Sequence, residues 1–136
     1  MKKLLPFLLL IIFLPGCKKY IEKKKEDIIV NAMTSGQWVV SNFQKNSTDI
    51  TSSFSGYKFQ YYSNQTVDAI KNGAVEKTGT WNGDASTLTI SANFTNVIEP
   101  LILLNGNWHI DNNSWTFVVA SLTTGGETRT LRLDKL

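Results

Sequence analysis

Cys17 is the only cysteine of the chain and stands at the end of an apolar stretch, where few chemistries are open to a thiol. No second cysteine exists to form a disulfide, and no histidine lies nearby to complete a metal site. Acylation of the sulfur fits the setting. Each acyl methylene buried in a bilayer contributes about 0.8 kcal/mol, so two or three chains would hold a protein to a membrane where one would not. His109, the single histidine, is followed two residues later by Asp111, which puts both on one face of a strand. A Ser-His-Asp apparatus would also need a serine within hydrogen-bond reach and an oxyanion hole, and no nucleophile-elbow pattern supplies them. The pair therefore reads as an exposed polar couple. Gly125-Gly126 reads as a turn, with neither the helix nor the Lys-Ser/Thr pair that a phosphate cradle needs. These residues give no catalytic group, metal site or cofactor site, and the chain reads as non-enzymatic.

What remains is aromatic. Trp38, Tyr57, Phe59, Tyr61, Trp81, Trp108, Trp115 and Phe117 recur at positions expected to point inward from short strands. Such a set could line a cup for an apolar or planar molecule, or it could be the core that a small domain needs. From Thr34 onward the pattern alternates with period two between turn residues, about eight strands in all. Trp38, Val40 and Asn42 share a face, as do Tyr57, Phe59 and Tyr61, Leu88 and Ile90, Trp108 and Ile110, Trp115, Phe117 and Val119, and Leu131 and Leu133. Asn72-Gly73, Asn82-Gly83-Asp84, Asp111-Asn112-Asn113 and Thr123 to Gly126 read as turns. Val97 to Leu104 breaks the alternation, and Pro100 argues for a short helix or irregular plug there, with strand left open. The expected fold class is all-β, an antiparallel meander closed into a small barrel, because closure removes the two edges that would otherwise be unpaired.

The N-terminal segment differs from this body. Met1-Lys2-Lys3 precedes an eleven-residue apolar stretch, Leu4 to Leu14, broken only by Pro6. As a helix it would rise about 16 Å, too little to span a bilayer, and it reads as the apolar region of a signal peptide. Lys18 to Asp27 holds five lysines and three acids and reads as a solvated tether. The net charge of +3 belongs to this region, since from residue 34 onward seven basic residues face eight acids. A basic nucleic-acid-binding domain is thereby excluded. The division expected is residues 1–16 as leader, 17–33 as lipidated cysteine and tether, and 34–136 as barrel.

Leu14-Pro15-Gly16-Cys17 resembles the lipobox of bacterial lipoproteins. That resemblance implies cleavage before Cys17, fatty acylation of its sulfur (palmitate-type chains) and attachment to the membrane. No Asp follows Cys17, which by the same resemblance favours the outer membrane, and Lys18-Lys19-Tyr20 lacks the acidic run of some surface-exported lipoproteins, which favours a periplasm-facing position. Gly36-Gln37-Trp38 resembles the first signature of lipocalins, in which the Trp closes one end of the barrel under a basic residue; Arg129 and Arg132 are the candidates for that residue. Gly79-Thr80-Trp81, Leu104-Asn105-Gly106-Asn107-Trp108 and Leu131-Arg132-Leu133 extend the similarity to the short lipocalin-like domains of Bacteroidetes-type lipoproteins. The resemblance implies a small apolar ligand held in the interior. The alternative is a protein-interaction or enzyme-inhibitor barrel with a self-filled core, using residues 46–53 and the turn from Thr123 to Glu127. A pocket of at least about 300 Å³ would favour the first reading, and a filled core with an ordered loop the second.

Overall fold

The computed structural model describes residues 16–136, with side-chain surroundings given from Lys23 onward. The leader expected over residues 1–16 falls almost wholly outside the described residues, as does the Cys17 side chain.

Among the described residues nine strands follow one helix: α1 (Gly16–Thr34), β1 (Gln37–Lys45), β2 (Thr48–Asp49), β3 (Tyr57–Tyr61), β4 (Thr66–Lys71), β5 (Ala74–Asp84), β6 (Thr89–Asn93), β7 (Gly106–Asn113), β8 (Phe117–Thr124) and β9 (Glu127–Lys135). Two 3-10 turns, Thr51–Phe54 and Leu101–Leu104, interrupt the meander. Each strand pairs antiparallel with its sequence neighbour, save that β2 is a two-residue flap on β1, and β1 pairs with β9 from Trp38↔Lys135 to Lys45↔Arg129. That last ladder closes β1 and β3–β9 into an eight-stranded barrel, as the edge argument requires. Asn72 and Gly73 both take positive φ at the β4–β5 hairpin, the backbone that a tight hairpin turn demands. The segment that breaks the alternation is a plug: Leu101, Leu103 and Leu104 are buried.

Several turn positions and strand phases differ from the expectation. Asn82-Gly83-Asp84 lies within β5, and the turn falls at Ala85 to Leu88, where the Asp84 carboxylate accepts from the Ser86 and Thr87 backbone N–H groups and the Ser86 hydroxyl. Leu88 therefore sits in the turn at φ +52°, exposed, and does not share the inner face with Ile90. Asp111-Asn112-Asn113 likewise belongs to β7, so the turn falls at residues 114–116. With the turn three residues later, the phase of β8 is the reverse of the one expected: Val118 and Ala120 are buried, whereas Phe117 and Val119 face outward. In β1 an irregularity between Val40 and Asn42 turns Phe43, instead of Asn42, to the interior.

The segment expected as a solvated tether is helical. From Cys17 to Thr34 it contains neither glycine nor proline and is rich in Lys and Glu, good helix formers. Residues 23–28 are exposed, but Met33 is buried and Ile29 and Val30 rest on the core. Ile29 comes so close to β5 that a Cβ at Gly83 would lie 2.6 Å from its Cγ2. The helix thus covers one end of the barrel, called here the helix end, where β1 begins and β9 finishes. At the opposite, loop end lie residues 46–56, the β4–β5 hairpin, the Leu101–Leu104 plug and the β8–β9 turn.

Candidate functional site

Six of the eight aromatic candidates converge in the interior. Trp38, Tyr57, Phe59, Tyr61, Trp81 and Trp108 are all buried, in contact with Phe43, Phe54 and Phe94 or the leucines of the plug and β9. Tyr61 meets Trp81 edge-on at 5.3 Å, Phe43 meets Trp108 edge-on at 6.0 Å, and Tyr57 stacks on Phe59 at 6.1 Å. Each buried indole has its N–H satisfied by a backbone carbonyl at 2.9 Å: Trp38 by Met33, Trp81 by Tyr62 and Trp108 by Leu104. The other two candidates are elsewhere. Trp115 stands in the β7–β8 turn, 56% exposed, and Phe117 lies on the outer surface beneath the Arg132 guanidinium at 4.6 Å.

Packing leaves almost no room inside. The hollow bordered by Phe59, Tyr61, Ile90, Phe94, Trp108 and Leu133 measures about 20 Å³, space for about one water molecule. A second hollow, between α1 and the β7–β8 side, is equally small. Both ends are stopped, one by Met33 and Ile29, the other by Phe54 and the Leu101–Leu104 turn.

The basic residue over Trp38 is Lys135, whose Nζ lies 5.0 Å from the ring centre and donates to Ser35 Oγ. Neither arginine takes that place. Arg132 points outward and pairs with Asp134, while Arg129 at the loop end pairs with Glu127 and donates to the Leu103 carbonyl at 3.1 Å. Lys135 was legible only from register, since it is the β9 residue directly opposite Trp38.

His109 Nδ1 and Asp111 Oδ1 are 2.9 Å apart on the exposed outer face, and the imidazole holds the Asp111 carboxyl below its usual pKa. Ser121, the β8 residue opposite His109, bonds to the same Asp111 carboxyl. Among the described residues no group of three or more His, Cys, Asp or Glu side chains gathers as a metal site would require, and no helix is long and apolar enough to cross a membrane.

The larger concavity is outside the barrel, at the loop end. A groove of about 530 Å³ runs between the β4–β5 hairpin and residues 96–101, lined by Tyr57, Lys71, Glu76, Lys77, Ile98 and Glu99 among others. Ile98 on its rim is 83% exposed, and Val75 and Ile102 are further exposed apolar residues on the same end. Lys71 sits 4.9 Å over the Tyr57 ring, and burial together with the neighbouring Glu76 carboxylate pushes the Tyr57 hydroxyl up to about 12. The surrounding loops are held in place. Asn46 exchanges two hydrogen bonds with Thr128, and Asp49 accepts from both the backbone and the hydroxyl of Thr51. Lys45 bridges Glu99 and Glu127 at 3.5 and 3.4 Å, linking the plug segment to the β8–β9 turn.

The chain is similar in structure to a DUF4847 family protein from Bacteroides vulgatus ATCC 8482. The TM-score is 0.58 over 78% of this chain and 96% of that one, at 14% sequence identity, a likeness of fold alone. No family profile and no curated protein matches the sequence. Function has therefore to be argued from the site itself.

Proposed function

We propose that the protein is a lipid-anchored, non-enzymatic barrel of the bacterial cell envelope that binds a partner polypeptide at its loop end. The observation that carries this reading is the filled interior. A hollow of about 20 Å³ holds no drug-sized molecule, since such ligands occupy pockets of about 300–1,000 Å³. Carriage of a small apolar ligand among the aromatic residues would require the core to be rebuilt. The loop end offers what a contact surface needs: an external groove, exposed Ile98, Val75 and Ile102 as apolar anchors, charges of both signs around them, and loops ordered by their own hydrogen bonds. Residues 46–53 and 123–127, the stretches expected from sequence to serve as contacts, border this same end.

Attachment follows from Cys17 and the lipobox-like residues before it, with the outer membrane, facing the periplasm, as the location. Substituting Cys17→Ala should release the protein from the membrane fraction. A photo-crosslinking residue at Ile98 should give a discrete adduct in intact cells of the native host, while one at Thr80 on the barrel wall should not. Equal labelling at both positions would refute a contact surface at the loop end. Native mass spectrometry of protein purified from its own host should show the bare chain with its acyl groups. A reproducible additional apolar mass, lost on denaturation, would return the reading to carriage.

A further inference from the structure

The helix end carries its own exposed apolar groups. Trp115, in the β7–β8 turn, is 56% exposed, Leu136 after β9 65% and Leu88 in the β5–β6 turn 52%. Leu88 is placed there at a cost, because its φ of +52° is one that glycine or asparagine adopts more easily. The Lys135 ammonium lies 6.0 Å from the Trp115 ring, and its neighbour Leu136 is fixed by a backbone bond to Gln37. Tryptophan beside lysine is a pairing favoured where protein meets lipid headgroups. The chain also arrives at this end through α1. Only eleven residues lie between Cys17 and Ile29, which touches β5, so as helix the acyl-bearing residue lies within about 18 Å of the barrel. That connecting stretch has five lysines against three acids, an excess that suits anionic headgroups.

We propose that the helix end docks on the membrane surface, with Trp115, Leu88 and Leu136 at headgroup depth, so that the loop end with its groove faces away from the bilayer. The proposal rests on the acyl anchor at Cys17, and its test separates the two. The chain from residue 16 onward is coupled through its single thiol to a maleimide lipid, which fixes attachment whether or not the cell acylates Cys17. It is then mixed with vesicles of phosphatidylglycerol and brominated phosphatidylcholine, whose bromines quench nearby indoles. Trp38, Trp81 and Trp108 are inside the barrel, so the Trp115→Phe variant gives their emission alone. The expected result is loss of most of the Trp115 component, the difference between the two proteins, with the Trp115→Phe spectrum little changed. A double variant, Trp115→Phe with Ile98→Trp, should keep its added emission. Quenching of the indole at position 98 in place of 115, or of neither, would overturn the proposal. Whether Cys17 is acylated in the cell is read independently from the mass of the host-purified protein.

Discussion

Replacing Met33 by alanine tests whether the last turns of α1 belong to the barrel or to a tether. Met33 is 2% exposed, and its backbone carbonyl accepts the Trp38 indole N–H. Truncation removes three heavy atoms from the core, worth about 2.4 kcal/mol at roughly 0.8 kcal/mol per methylene-sized group. The vacated space adds a cavity cost, and Met→Ala in a core falls at about 2–5 kcal/mol overall. Because a helix terminus can settle partway into the gap, about 3 kcal/mol is expected. With a urea dependence of about 2 kcal/mol per molar, the unfolding midpoint should fall by about 1.5 M. Ile28, on the opposite side and 53% exposed, gives the control: Ile28→Ala should shift the midpoint by less than about 0.25 M, within the range of ordinary surface substitutions. The assay is equilibrium unfolding of residues 16–136 with Cys17→Ser, followed by tryptophan emission. Equal, small shifts for both variants would refute the account, since α1 would then contribute nothing to the closed end.

Three further outcomes follow from the same contacts. Gly83→Ala should destabilise by about 1–3 kcal/mol because the new methyl meets Ile29, and Ile29→Ala in the same chain should recover part of that loss, a coupling measurable by a double-mutant cycle. Asn105→Ala should cost about 2 kcal/mol in denaturant unfolding, since its amide both accepts from the Phe94 N–H at 2.7 Å and donates to the Phe94 carbonyl at 2.9 Å. Tyr57 should ionise near pH 12 by absorbance titration, and Glu76→Gln should bring it down without reaching the free value, because burial is the larger cause. The raised value favours the neutral phenol in the folded chain, so this contribution is complete below pH 10 and disappears as pH rises from 10 towards 12.

Much of the architecture was legible because a half-buried strand writes its geometry directly into alternation. Tyr57-x-Phe59-x-Tyr61 and Leu131-x-Leu133 each point one way, and Asn72-Gly73 marks a turn that few other residues could make. Where both faces of a strand carry apolar groups, alternation loses its phase. Phe117 and Val119 are larger than Val118 and Ala120, yet the smaller pair is inside, because Trp108, Trp38 and Phe43 from other strands already occupy that volume. The same limit hid the partner of Trp38: Lys135 is nearly a hundred residues away, and only the β1–β9 register brings it across the ring.

The sequence by itself determined the all-β class, the closure, the break in alternation around Pro100 and the isolation of Cys17, each a consequence of local pattern or of residue count. Tertiary structure alone decided what the aromatic residues do. Whether eight strands enclose a cup or a core depends on how side chains from different strands share one small volume, and a hollow of about 20 Å³ is the sum of many such contacts. It also turned the expected charged tether into a helix with a buried end: Lys and Glu favour the helix locally, but the burial of Met33 exists only because the barrel mouth is there to receive it.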